Sequence, residues 1–137
     1  MPKESFTSVE DDDCLFCRVR ANQLIAEDDF CYASRDSFPV TNGHALIIPR
    51  RHVANYFDLT EAEVIAIHGM LLYTKNWVEF HNKDVTAFNI GVNAGHDAGQ
   101  SIYHVHIHLI PRRKGDVANP QGGVRGVIPD KQHYANE

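Results

Sequence analysis

Along the 137 residues the spacing of apolar positions changes several times, and each change predicts an element. "CLFCRVR" brings Leu15, Phe16 and Val19 to spacings that share one face of a short helical turn, with Asp11 to Asp13 at its positive N-terminal end. "QLIAED" and "FCYASR" predict two strands around an Asp28-Asp29 turn. In "SFPVTNGHALIIPRRH" a loop closed by Asn42-Gly43 leads into a buried strand from His44 to Ile48, ended by Pro49 because proline cannot continue a central ladder. Thr60 and Glu63 form a capping box, and Val64, Ile67, Leu71 and Val78, with Ile65 and Leu72 beside them, make an apolar stripe. That pattern predicts a long helix from about Thr60 to His81. "TAFNIGV" predicts a strand, "NAGHDAGQ" a glycine-punctuated loop, and Ser101 to Ile110 a final strand that stops at Pro111.

Five strands around one main helix predict an α+β domain with a largely antiparallel sheet. Met1 to Asp13, with its "EDDD" run, reads as a loose leader, and residues 14–137 as a single domain. The tail from about residue 114 is rich in Gly, Pro and charge and reads as irregular chain with a short strand at "GVI".

Composition narrows the partners. A net charge of -5 sets the overall field against nucleic acid, so an anionic substrate must be held by local donors. No apolar run approaches a bilayer span and no signal-like start precedes the domain, which predicts a cytoplasmic protein without a membrane partner. The odd cysteine count argues against a disulfide framework, leaving the Cys14-x-x-Cys17 pair as half of a zinc site or as free thiols on a small amphipathic turn, and Cys31 as a small buried residue.

"HVHIHLI" carries the chemistry. On a strand His104, His106 and His108 share a face, roughly 6 to 7 Å apart, while the apolar residues between them face the core. A single ion bound by all three is a stretched arrangement, since ligand nitrogens must lie within about 2.1 Å of the metal. Nucleophilic attack on phosphorus suits the row better: His106, flanked by both others, is the natural nucleophile, and His108 donates to phosphate oxygen.

This heptad resembles the defining motif of the histidine triad family, His-φ-His-φ-His-φ-φ with φ apolar. "GHALIIPRRH", "NAGHDAGQS" and "CLFC" resemble the family's upstream strand, substrate loop and frequent start, so the likeness runs from about Cys14 to Arg113. It implies the histidine triad fold, a homodimer whose sheet continues across the two-fold axis, and a nucleotide hydrolase or transferase working through a nucleotidyl-His106 intermediate. It further implies that His44 supports the nucleophile, that Asp36 holds the ribose hydroxyls, and that Asn93, Gln100 and Ser101 contact phosphate or leaving group. Backbone amides of the turn from Gly99 to Ser101 would add oxyanion donors. Where relatives carry an aromatic residue this chain has Ser34, so Leu15 and Phe16, with Val19 and Ile25, are the candidate base pocket. Diadenosine polyphosphates and nucleoside phosphoramidates are the implied substrates; Asn93 resembles the phosphoramidase branch and the tail resembles diadenosine tetraphosphate hydrolases.

The family's cysteine-bearing branch implies that Cys14, Cys17, His52 and His104 bind a structural zinc ion, which frees His106 and His108 for chemistry. Two other readings remain open on sequence: a non-catalytic zinc-containing nucleotide-binding or scaffold protein, and an enzyme with all three histidines on a catalytic metal.

Overall fold

A computed structural model describes residues 14–134; the leader expected over 1–13, with its acidic run, lies outside the described residues. The elements are strands β1 (Leu24–Glu27), β2 (Cys31–Arg35) and β3 (Ala45–Pro49), helix α1 (Glu61–His81), and strands β4 (Ala87–Val92) and β5 (Ile107–Arg112). They form one antiparallel sheet in the order β1-β2-β3-β5-β4, with α1 against one face. Among the described residues no helix is long and apolar enough to cross a membrane.

Local chemistry sets the corners. The Asp28 carboxylate accepts the amides of Phe30 and Cys31, each at 2.8 Å, and so closes the β1-β2 hairpin. Gly43 takes φ 93°, and a Cβ there would meet Val78, Asn82 and Pro111, so only glycine fits the turn into β3. Thr60 caps α1 through the amide of Glu63, and Glu63 returns the bond to the amide of Thr60.

The buried stripe of α1 is Glu63, Ile67, Met70, Thr74 and Val78, turned from the predicted one, and Val64, Ile65 and Leu72 are exposed. Glu63 is what moves the stripe inward. Its carboxylate takes two bonds from the Arg51 guanidinium, at 3.0 and 2.8 Å, so a charged residue occupies a buried position that an apolar count passes over.

Alternation gives the sheet two buried faces. Cys31, Ala33, Ile47, Val105 and Ile107 pack with Ile67 and Met70 under the helix. Tyr32, Leu46 and Ile48 pack with Phe16 on the opposite side, where the segment after Cys14 lies across the sheet. The predicted N-terminal helix is a single 3-10 turn, Leu15–Cys17.

Two expectations at the strand ends are corrected. β5 starts at Ile107, not Ser101, and both prolines lie inside strands: Pro49 pairs with Cys31 and Pro111 with Phe88. A strand residue directs its N and its carbonyl to the same side. The Pro49 carbonyl accepts from the His104 ring and the Pro111 carbonyl from Thr41 Oγ1, so each missing N–H faces a side where the β3-β5 ladder has already ended. Beyond Ile47 the ladder gives way to that ring-to-carbonyl bond and to the Val105 amide on the Val53 carbonyl. In the tail the expected "GVI" strand is absent; Gly123–Val127 and Pro129–Lys131 are 3-10 turns.

Candidate active site and metal cluster

β3 and the approach to β5 bring the histidines together. His104 is fully buried, and its Nε2 lies 2.7 Å from the Pro49 carbonyl, which can only accept, so Nε2 carries the proton and Nδ1 the lone pair. That lone pair faces sulfur: Nδ1 is 3.3 Å from Cys14 Sγ and 3.6 Å from Cys17 Sγ. His52 Nδ1 lies 3.1 Å from Cys17 Sγ, and the four ligand atoms lie within 4.8 Å of one another. A tetrahedral zinc ion with bonds near 2.3 Å to sulfur and 2.1 Å to nitrogen would set N and S about 3.5 Å apart, which these contacts approach. The donor set and its tautomer are therefore compatible with zinc.

His106 is fixed differently. Its Nδ1 sits 2.9 Å from the His104 carbonyl and must donate to it, which leaves Nε2 unprotonated in the neutral ring. The ring packs against Phe16 at 4.8 Å between centroids and against His108 at 5.3 Å.

A relay of hydrogen bonds fixes His108. The Val40 amide donates to His44 Nδ1 at 3.1 Å, so His44 Nε2 holds the proton and donates to His108 Nδ1 at 2.9 Å, with Asp36 Oδ2 3.3 Å away. His108 is thereby left with its proton on Nε2, ready to donate. His44, expected to support the nucleophile, contacts His108 instead. Burial, and then the neighbouring His106 and His44, push the His108 pKa down to about 4, and burial lowers that of His44 against the pull of Asp36. Both are neutral near pH 7. Asp36, His44 and His108 also lie at metal-ligand distances, yet a metal on His44 Nε2 would need the proton on Nδ1, where the Val40 amide already donates. The tautomer that the Val40 amide fixes on His44 is therefore unsuited to an ion.

A cavity of about 270 Å3 opens over these groups. It brings together His106, His108, Leu15, Phe16 and Asp36, together with Tyr32, Ser34, Leu46, Ile48 and Ile102, and Arg18, Arg20 and Arg35 at its rim. Asp36 Oδ1 accepts the Phe38 amide at 2.8 Å. Ile25, expected in the base pocket, packs in the cluster under the helix; Leu24, one residue earlier, packs with the cavity side, because neighbouring strand residues point to opposite faces. Val19 is exposed and does not line the cavity.

Asn93, Gln100 and Ser101 lie in the segment joining β4 to β5, outside this lining. Gln100 is buried, and its amide serves the loop itself: it accepts the Gly95 amide and donates to the carbonyls of Ala54 and Ile102. The expected oxyanion amides of Gly99 and Gln100 donate within the turn, to His96 and Gly95 carbonyls.

The cavity wall from Leu46, Ile48 and Tyr32 escaped the sequence reading, although the period-two alternation of β3 with His44 carried the signal. Tyr32 donates to the Phe16 carbonyl at 2.6 Å and so ties the cysteine-bearing segment to β2.

Residues 18–115 match the HIT domain family. The chain is 35% identical over 115 residues to the adenylylsulfatase HINT3 of Arabidopsis thaliana, covering 80% of this chain and 57% of that protein. It is 40% identical over 78 residues to the asymmetrical bis(5'-nucleosyl)-tetraphosphatase of Schizosaccharomyces pombe, covering 57% of this chain and 42% of that one. The chain thus spans about half the length of these two relatives. Among solved structures, a Zn-bound histidine triad family protein from Mycobacterium smegmatis superposes with TM-score 0.71 at 28% identity, covering 80% of this chain and 81% of that one.

Proposed function

The chain belongs to the HIT domain family, and from that membership we propose that it is a nucleotide hydrolase whose nucleophile is His106. The observation that carries this reading is the bond from His106 Nδ1 to the His104 carbonyl, which leaves the Nε2 lone pair in a cavity shared with the donor His108. In the first step His106 Nε2 attacks phosphorus: a P–N bond forms, the bond to the leaving group breaks, and the leaving group departs with the electron pair and takes up a proton from solvent. Water then attacks the nucleotidyl-histidine, the P–N bond breaks with its electron pair returning to His106 Nε2, the proton lost by the water passes to solvent, and the nucleoside monophosphate leaves. His108 Nε2–H donates to a phosphoryl oxygen in both steps, and His44 holds it in the donating tautomer.

Leu15 and Phe16 take the base, Asp36 the ribose hydroxyls, and Asn93, Gln100 and Ser101 serve the phosphate side, Gln100 by shaping its loop. Cys14, Cys17, His52 and His104 hold a structural zinc ion, which ties the segment bearing Phe16 to the sheet; the Zn-bound relative supports this assignment. Phosphoanhydrides of the diadenosine polyphosphate type and nucleoside phosphoramidates are the proposed substrates, in keeping with the hydrolase names of the two relatives. The proposed assembly is a homodimer joined at β4, a sheet edge bonded to β5 on one side and presenting Ile90 to solvent.

The test is turnover of diadenosine tetraphosphate and of an adenosine phosphoramidate by wild type and His106→Ala. Hydrolysis by wild type and none by the variant is expected. Equal rates would remove the nucleophile assignment, and no turnover by either would leave a nucleotide-binding protein.

A further inference from the structure

On the cavity side of β2 a serine stands among apolar neighbours. Tyr32, Ser34 and Asp36, at alternate positions, all line the cavity, and β2 sets Ser34 beside Leu46 and Tyr32 beside Ile48. Tyr32, Leu46 and Ile48 pack with Phe16 in one apolar cluster, with Ile102 against it. Tyr32 turns its hydroxyl to the carbonyls of Phe16 and Arg18, at 2.6 and 3.5 Å. Ser34 is buried, and its Oγ lies 3.1 Å from the Arg35 carbonyl, which can only accept. The hydroxyl proton is therefore committed to the backbone, and what Ser34 offers the cavity is a lone pair. Of the arginines nearby, Arg20 is turned to Ser37 Oγ and Arg35 to the Asn22 carbonyl. Two residues along the chain, a step of about 7 Å in extended backbone, separate Ser34 from Asp36, the residue given to the ribose. A base joined to that ribose and resting on Leu46 and Ile48 brings its polar edge to Ser34.

We propose that Ser34 selects the base of the nucleotide: its Oγ accepts a hydrogen bond from an exocyclic amine, as on adenine, and disfavours a base with a carbonyl at that position, as in hypoxanthine. The inference rests on the proposed nucleotide hydrolase and names the nucleoside it takes. An amine carries the hydrogen that the lone pair requires. A carbonyl presents a second acceptor, and to donate to it the hydroxyl would have to leave the Arg35 carbonyl, so one oxygen or the other goes unmatched in a buried place. Leu46 and Ile48 do not make up the difference, because the apolar surface they cover beneath the ring is much the same for both bases.

The experiment is calorimetric titration of wild type and Ser34→Ala with AMP and with IMP, which share ribose and phosphate and carry an amine or a carbonyl on the same ring carbon. Wild type is expected to bind AMP about tenfold more tightly than IMP, the scale of one hydrogen bond made against one acceptor left unmatched. Ser34→Ala is expected to bring that ratio below about threefold, chiefly by losing affinity for AMP. Equal affinities in wild type, or a preference for IMP, would overturn the contact. So would a ratio unchanged in Ser34→Ala, because a like loss for both nucleotides marks a structural role for the serine. The result is read without turnover. An AMP preference that Ser34→Ala abolishes supports the contact even if neither diadenosine tetraphosphate nor the phosphoramidate is hydrolysed, an outcome that would sink the hydrolase reading alone. No binding of either nucleotide by wild type would overturn both.

Discussion

The main-chain carbonyl of His104 lies 2.9 Å from Nδ1 of His106, so the residue whose ring faces the cysteines also sets, through its backbone, the tautomer of the proposed nucleophile. Side chain and main chain of one residue thus serve two neighbouring centres.

Replacing His106 by Ala is expected to lower turnover by about a thousandfold or more while nucleotide binding changes little. Mass spectrometry of acid-free quenched reactions should show a nucleotidyl adduct on wild type and none on the variant. An adduct of undiminished yield on His106→Ala would place the nucleophile elsewhere.

Purified protein is expected to hold stoichiometric zinc, and Cys17→Ser to lose it together with about 10 °C or more in Tm. Because Leu15 and Phe16 lie between the two cysteines and line the cavity, loss of the metal is also expected to weaken nucleotide binding. Elemental analysis and calorimetry on chelated protein check both. Unchanged stability and affinity after chelation would exclude a structural role for the ion.

The His108 pKa falls from the ordinary 6.5 to about 4 on folding, so between those values the unfolded chain binds more protons at this residue. Its contribution is fully present above 6.5 and is lost as pH falls toward 4, by up to about 3 kcal/mol. Urea unfolding of wild type should therefore weaken across that window relative to His108→Gln. Parallel pH curves for the two proteins would contradict the burial of a neutral ring.

Glu63 is buried, and the Arg51 guanidinium foremost, with the Thr60 cap, holds its carboxyl below the usual range. Glu63→Ala removes the cap partner and leaves Arg51 without its carboxylate, at an expected cost of about 2 kcal/mol measured by urea denaturation. A change within experimental error would mean that the pair is screened by solvent at its exposed end.

Thr74 is fully buried on α1, and its Oγ1 has no hydrogen-bond partner among the described residues. Thr74→Val keeps the shape and removes the unsatisfied hydroxyl, so a gain of about 1 kcal/mol is expected. A destabilised variant would show that the hydroxyl is bonded in solution.

The sequence held the strands, the long helix and its capping box, because each rests on local periodicity or on a cap spaced three residues apart. It misplaced the helix stripe, since a charged Glu63 enters the core only through Arg51, twelve residues earlier. It drew β5 too long because the end of the β3-β5 ladder depends on where the facing strand carries Pro49. Of the proposed site, the histidines and cysteines stood out by spacing alone. The cavity wall of Leu46, Ile48 and Tyr32 did not, because it forms only once the segment after Cys14 lies across the sheet.

Behind His106 stands the His104 carbonyl and behind His44 the Val40 amide, neither of which ionises, and the carboxylate that His44 Nε2 does meet, Asp36 at 3.3 Å, itself lines the cavity. The back of the site is therefore a dead end for proton conduction. Under the proposed hydrolysis, the proton shed by the attacking water would leave through the mouth of the cavity, coupling completion of each cycle to product departure and bulk buffer, not to an internal wire.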